Sequence, residues 1–583
     1  MSNFWFYTFA GFVQLTAIAF NANCADNPKD PPMLGTADHW VATDALDRKL
    51  PQYQEVGLPR SNKTVGIFYF LWNGNHTQRV YDVSKIISTP EGQRKWGPKG
   101  ASHFGSEPEY GYFHSSDPWV IRRDMQMLVN AKIDFLYLDV TNAVIYKKTV
   151  AVLLETIKQM RREGVAAPAV SFVTNAASGK TINSIYEAFY SNPGNANLWF
   201  QWEGKPLIFG KIEDPELRSE LIPLFTIKRC WAWTPAKQKP DHWQWLDKYP
   251  QDYGWHTSPE IPDQISVSAA SHPTISIGKS YQNGIQPAVG VDYLTSQTAN
   301  GLHFEEQWSR AHEVDPKVVM ITQWNEWIAG RSIKPEKPIF AGREALPDGT
   351  WFVDVFGAEF SRDLAPMRGG YTDNYYYQMI GHIRRFKGIA QPPVRPPHRP
   401  ITVDGKFEDW HVVPALHYDP PGDVMHRKFR GTDPKVTYEN KYGRNDFIAA
   451  RVVESNDQVH FLVTTKSPLT PHTDEHWMTL LIDTDQNKKT GWQGYDLAVN
   501  TETRSNRETC FASWSETTWQ SAGTVPYGYA DNRLELSISN TILNRKTDQP
   551  FDFKWVDNVS LKSLEFLFLH GDAAPDRRFN YRH

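Results

Sequence analysis

The chain has 583 residues, with 62 Lys+Arg against 66 Asp+Glu and a net charge of −4. That length predicts two or three domains, and the charge balance excludes the basic stripe with which nucleic-acid binders neutralise phosphates. A hydrophobic content of 40% is ordinary for a globular chain, whereas 22 Trp, 25 Tyr and 31 Phe alongside 40 Pro describe an aromatic, loop-rich one suited to stacking on sugar rings.

The first element is an apolar run over residues 4–20, followed by Asn-Ala-Asn-Cys-Ala-Asp, where a signal peptidase would cut near Cys24 or Ala25. No Lys or Arg precedes the run, so an uncleaved anchor is the alternative to a signal peptide over 1–25. The expected location is secreted, periplasmic or cell-surface. No later stretch approaches the ~18 apolar residues of a membrane span. Cleavage would leave only Cys230 and Cys510, too far apart in the chain's organisation to read as a bridge.

Residues 65–70 predict a buried strand. Asp117-Pro118 then supplies an N-cap and a first-turn proline, with Ile121, Met125 and Leu128 at helical spacing. A strand at 133–139 follows, then a helix marked by Val150, Leu153, Leu154, Ile157 and Met160 that stops before Gly164. Further strands are expected at 167–174, 206–210, 229–233, 264–269 and 317–322. Repeated strand–helix units without a Gly-rich phosphate fingerprint predict an α/β fold, a (β/α)8 TIM barrel over 26–390, with a doubly wound sheet as the alternative. The segment 391–400 carries five prolines in ten residues and reads as a stiff linker. Beyond it the period changes, and strands at 459–464, 478–483, 534–538 and 564–569 predict an antiparallel β-sandwich over 401–583.

In a barrel the chemistry sits where strands end at the C-terminal face. Asp139 ends the apolar run Phe-Leu-Tyr-Leu-Asp, and Glu326 follows the strand beginning near Lys317. A carboxylate there is costly to desolvate unless it is paired or used, so both are candidate catalytic groups, a loop cap or salt bridge being the plainer reading. Glycosidic cleavage needs two such groups, one to protonate the leaving oxygen and one to attack or to activate a hydroxyl. Candidate substrate-binding residues around them are Tyr69, Trp72, Asn73, Asn142, Gln323, Trp324, Asn325, Trp327 and Arg331, with Glu203, Glu305 and Glu306 as further acids. In the second domain Trp477 and Trp492 are candidate glycan platforms. Asp483, Asp485 and Asn487 place oxygen ligands at alternate positions of a turn, either a structural Ca2+ loop or a hairpin whose side chains satisfy turn amides. No cofactor is expected for catalysis, and the expected partner is a carbohydrate substrate rather than nucleic acid.

Several stretches resemble glycoside hydrolase family 99, the endo-α-mannosidases and endo-α-mannanases, and its relative family 71. They are Val-Gly-Ile-Phe-Tyr-Phe-Leu-Trp-Asn-Gly-Asn at 65–75, Tyr-Phe-His-Ser-Ser-Asp-Pro at 112–118, Trp-Phe-Gln-Trp-Glu-Gly-Lys-Pro-Leu-Ile-Phe at 199–209 and Trp-Asn-Glu-Trp at 324–327. The resemblance implies a barrel with a sugar cleft, and it matches Glu326 to the motif glutamate that acts as a base on the substrate's 2-hydroxyl. Three residues further on, where that family carries its second catalytic glutamate, this chain has Ala329. The second carboxylate is therefore expected on the Asp139 strand, with the order of roles open. Residues 401–410 and 480–496 resemble family 9-type carbohydrate-binding modules. The expected function is an exported glycoside hydrolase; the alternative is a non-catalytic glycan-binding protein on a degenerate barrel.

Overall fold

Eight parallel strands form the first sheet of the computed structural model, which describes residues 37–232, 234–270, 297–333, 349–352, 363–441, 443–505 and 507–583. The expected signal segment and Cys24 lie outside the described residues. The strands are β1 (Thr64–Tyr69), β2 (Phe135–Asp139), β3 (Ala169–Val173), β4 (Lys205–Phe209), β5 (Thr226–Cys230), β6 (His242–Trp243), β7 (Gln264–Ser268) and β8 (Val318–Trp324). They are ordered β6-β5-β4-β3-β2-β1-β8-β7, and Tyr253–Gly254 adds an antiparallel ninth strand beside β7. That order is a TIM-like barrel short of one ladder. At the open seam side-chain amides stand in for backbone pairing: Gln244 N donates to Gln264 Oε1 (3.1 Å) and Gln264 Nε2 to the Gln244 carbonyl (2.6 Å).

Helices cover the sheet unevenly. α1 (Pro118–Asn130) begins at the expected cap, where Asp117 accepts from Trp119 N at 3.0 Å. α2 (Lys147–Arg162) buries Val150, Leu153, Leu154, Ile157 and Met160, and Gly164 follows it at φ +84°, the left-handed geometry glycine supplies without strain. α3 (Ser178–Ile185), α4 (Leu302–Val314) and α5 (Asn374–Lys387) complete the described layer. Between β4 and β7 only short 3-10 turns and loops connect the strands. The strand expected at 229–233 lies three residues earlier as β5, and the two-residue β6, too short to leave a pattern, went unread.

A hairpin plugs the N-terminal end of the barrel. Glu203 (φ +54°) and Gly204 (φ +78°) form its turn, the paired positive φ that suits two-residue hairpins. Phe200 on this plug stacks on Phe135 at 4.0 Å. Glu203 reaches back to Lys228 Nζ at 3.3 Å, which makes it a structural acid rather than a catalytic one.

The second sheet is all antiparallel. Its members are β9 (His417–Tyr418), β12 (Phe447–Glu454), β13 (Gln458–Thr465), β14 (Thr479–Asp483), β15 (Leu497–Thr503), β16 (Glu508–Ser515), β17 (Thr518–Ala530), β18 (Arg533–Ser539), β19 (Asp552–Asp557), β20 (Asp572–Ala574) and β21 (Tyr581–Arg582), with β10 (Arg427–Arg430) and β11 (Thr437–Asn440) as a separate hairpin. The order β9-β12-β13-β18-β17-β16-β15-β14-β19-β20 folds round until Phe447 N on β12 donates to Asp572 Oδ2 on β20 (2.7 Å), a barrel-like sandwich. The run expected as a strand at 564–569 is instead a short helix, Phe566–Leu569, which turns Leu567 and Phe568 into a small apolar cluster. The proline-rich 391–400 is extended, outside any strand and largely exposed. Cys230 and Cys510 are free and buried. Among the described residues no helix is long and apolar enough to cross a membrane.

Barrel and sandwich meet through a buried, charge-paired seam. Arg577 grips Glu109 through two bonds (2.6 and 2.8 Å), Arg427 holds the N-cap Asp117 (2.8 Å), and Arg578 holds Asp373 (2.8 Å). Trp40, ahead of β1, packs edge-on against Phe579 at 5.3 Å.

Candidate active site

Asp139 ends β2 on the barrel's C-terminal face, almost completely buried. Its carboxylate accepts from Thr141 N (3.0 Å), Thr141 Oγ1 (2.7 Å) and Trp72 Nε1 (3.4 Å). All three donors are neutral, and burial raises its pKa above the ordinary carboxylate range despite them. This is the environment of a group that holds a proton for delivery. Of the two plainer readings, no salt bridge to Asp139 is present among the described residues, whereas the bonds from Thr141 N and Oγ1 two residues on are those of a loop cap, a role Asp139 fills as well.

Trp72 leads outward from it. The indole packs on Phe70 (4.5 Å) and against His76 (5.2 Å), His76 Nε2 lies 3.2 Å from Tyr146 Oη, and Asn142 Nδ2 donates to the same phenol at 2.6 Å. Of the expected substrate-binding residues, half-buried Trp72 and exposed Asn142 therefore stand beside Asp139 at the mouth.

Glu326 is held from behind. Its backbone N donates to Asp363 Oδ2 at 2.7 Å, Asn325 N donates to Asp363 Oδ1 at 3.1 Å, and Ala365 N takes the same oxygen at 2.7 Å. Asn73 Nδ2 meanwhile donates to the Asn325 carbonyl at 2.9 Å. Asp363 is fully buried, and burial raises its pKa to about 6. Glu326 itself is half-buried; burial raises the pKa of Tyr137, and the charge of Glu326 adds a smaller push in the same direction. Tyr137 lies two residues before Asp139 on β2, hence on the same face. Asp139 and the loop carrying Glu326 thus lie at the same end of the barrel, past the C-terminal ends of β2 and β8.

The other expected residues cluster too, but on the opposite side of the sheet. β8 bulges between Ile321 and Trp324, with Gln323 at φ +80° and Asn325 at φ +66°. A bulge re-aims the side chains beyond it. Trp324 consequently pairs in register with Tyr69 and turns, fully buried, toward α5, where it meets Tyr376 at 6.1 Å. Tyr69 Oη donates to Asp124 Oδ2 on α1 at 2.9 Å, and Asn325 Nδ2 bonds the same oxygen. Burial raises the pKa of Asp124 to about 7. Tyr69, Trp324 and Asn325 are therefore corrected from sugar contacts to a strand–helix lock. Asn73 braces the Glu326 loop, and Gln323 accepts from Ala270 N at 3.0 Å. Trp327 is 2% exposed. Arg331 is buried, its Nη1 donating to the Gly97 carbonyl (2.8 Å) and its Nε to Thr350 Oγ1 (3.0 Å), which corrects it from a sugar contact to a loop brace. Ala329, where a second glutamate was expected from the resemblance, sits in a two-stranded ladder opposite His103.

Three contributors escaped the sequence reading. Trp231 and Trp245 follow β5 and β6 at the same end of the barrel, 5.8 Å apart edge to face, with Trp231 exposed and Trp245 stacked on Phe68 at 5.5 Å. A cleft of about 790 Å³ runs past Trp231, Asn175 and Lys211, over the strands that lack full helices. Asp363, the clamp, lies 37 residues beyond Glu326, and only the rule that a strained loop needs buried acceptors hints at it.

The sandwich residues move inward. Trp477, 4% exposed, donates to the Thr470 carbonyl (3.0 Å) and packs on Tyr529, while Trp492, 7% exposed, packs on Tyr495 and Trp519. Neither offers a free face, so both are corrected to core. Half-buried Trp514 and Trp519, a cross-strand pair at 5.3 Å, are the accessible indoles there. In the acidic turn, Asp483 accepts from Gln486 N (2.6 Å), Asp485 from Asn487 N (3.0 Å), and Asn487 Oδ1 from Lys489 N (3.1 Å), the turn-amide arrangement. Asp483, Asp485 and Asp496 nevertheless approach one another within 4.8 Å.

No protein-family model matches this chain, and no curated protein matches it. Among solved structures, two of the GH99 endo-alpha-mannosidase from Bacteroides thetaiotaomicron are similar. One is at 13% identity and TM-score 0.31, the other at 15% and 0.29, each covering 55% of this chain and 97% of the other.

Proposed function

We propose that the protein is an exported glycoside hydrolase acting on a poly- or oligosaccharide, with Asp139 and Glu326 as its acid/base pair. The observation that carries the proposal is Asp139: a buried carboxyl at a barrel strand end, raised in pKa, bonded only to neutral donors. A carboxyl whose pKa is raised by burial holds its proton to higher pH than an exposed one, which suits a donor to a leaving glycosidic oxygen. Glu326, more open to solvent and fixed through its backbone by Asp363, then supplies the base or nucleophile. Trp231 and Trp72 offer indole faces for the sugar rings.

Release of reducing ends from α-mannans, α-glucans and sulfated or uronic polysaccharides tests it, with Glu326→Gln and Asp139→Asn compared against wild type. Full turnover in either variant removes that residue from the pair. Ala329, a small side chain locked into a ladder where a second glutamate was expected, favours a second reading, a glycan-binding barrel. Saturable binding of a polysaccharide without any product distinguishes it.

A further inference from the structure

A second group of carboxylates lies in the second domain, outside the candidate active site. Asp419 follows β9, Asp423 ends the loop Asp-Pro-Pro-Gly-Asp, and Asp572 begins β20. One oxygen from each can be chosen so that all three lie within 4.8 Å of one another, and all three residues are buried. Oxygens 2.3–2.6 Å from one Ca2+ are at most about 5 Å apart, so the spacing is that of a shared ion.

The decisive feature is what these side chains lack. Asp419 and Asp423 are 0% and 1% exposed, and none of their four carboxylate oxygens has a hydrogen-bond partner. Three buried carboxylates of the seam are each served by an arginine: Glu109 by Arg577, Asp117 by Arg427, Asp373 by Arg578. The charges of Arg122 and Arg123 act on Asp423, and that of Lys554 on Asp419 and Asp572, but none of these cations donates to the four oxygens, and buried acceptors left without a donor are costly. Asp572 differs in a way that fits. Its oxygens accept from Phe447 N (2.7 Å) and Ala573 N (2.8 Å), which orients the carboxylate and leaves further lone pairs for a ligand.

We propose that Asp419, Asp423 and Asp572 bind a divalent cation of the calcium class, which ties the sandwich to the barrel. Oxygen-only donors with no His or Cys select a hard ion over zinc or copper. Three converging carboxylates suit Ca2+ better than Mg2+, which keeps most of its water and seldom sits in all-protein cages. The loop carrying Asp423 is already anchored on the barrel, where Arg122 Nη2 donates to the Pro421 carbonyl at 2.8 Å. An ion here joins that anchored loop to the closing strand of the second sheet. A cleft of about 420 Å³ lined by Trp40, Tyr418, Asp419 and Tyr581 lies beside the site.

The test uses the full chain, stripped with a chelator and titrated with CaCl2 or MgCl2 at matched ionic strength. Ca2+ is expected to raise Tm by about 5 °C at a hundredfold excess over its Kd, Mg2+ by less. The Asp419→Asn/Asp423→Asn variant is expected to lose that response and, relieved of two buried carboxylates that lack donors, to melt no lower than chelated wild type. The Asp483→Asn/Asp485→Asn variant is expected to keep it. Three results overturn the proposal: no rise at about 5 mM Ca2+, beyond the affinity range of extracellular sites; a rise undiminished in the first variant; or one abolished in the second. Tb3+ luminescence of the wild-type chain reads the site without substitution. A signal that Ca2+ displaces is expected, and its absence counts against the site.

Discussion

Buried carboxylates gather at the barrel mouth and in the seam between barrel and sandwich, and the two sets are built oppositely. In the seam Glu109, Asp117 and Asp373 each face an arginine, whose fixed fork neutralises the charge and fastens two surfaces. At the mouth Asp139 and Asp363 face only amides, a hydroxyl and an indole, so burial pushes both upward in pKa. Burial raises Asp117 as well, but there the charge of Arg427 opposes the rise; the mouth carboxylates have only neutral donors against it. Asp419 and Asp423 follow neither plan: their carboxylate oxygens have no hydrogen-bond donor at all.

Substitutions sharpen this contrast. Glu326→Gln and Asp139→Asn should each lower kcat by about a hundred- to ten-thousand-fold and leave Tm near wild type. If Asp139 is the donor, activity persists while it stays protonated, and its raised pKa carries that state above the usual carboxylate range. The pH–rate profile should then fall on the alkaline side, and Asp139→Asn should abolish that limb. Glu109→Ala is the converse: by stranding Arg577 it should cost about 3–5 kcal/mol of stability, read by denaturant melts, with kcat per folded molecule unchanged. Asp363→Asn should lower kcat by about ten- to a hundredfold through a displaced Glu326 loop, with KM moving little. Trp231→Ala, at the rim, should raise KM about two- to tenfold, the worth of one stacked ring. A seam substitution that kills turnover without unfolding, or a mouth substitution that unfolds, breaks the comparison.

Much of the barrel was legible because its signals are local. Asp117-Pro118 caps α1 as its residue types require, and the apolar spacing from Val150 to Met160 gives the buried face of α2. The cluster Tyr69, Trp324 and Asn325 was legible as a cluster but not in its direction. Alternation along β8 points Trp324 inward, and the bulge at Gln323 reverses it. Nothing in Ile-Thr-Gln-Trp announces that bulge, since it is held by Asp124 and Asp363, about 200 residues before and about 40 after.

From the residues alone came the alternation of strands and helices, the proline-rich break at 391–400, and the two carboxylates at strand ends, because capping, periodicity and desolvation act within a few residues. The tertiary structure alone decided which face each aromatic presents, which acids receive an arginine and which stay bare. Those outcomes depend on partners brought together from distant parts of the chain, as Asp423 and Asp572 are, and no local pattern encodes such a meeting.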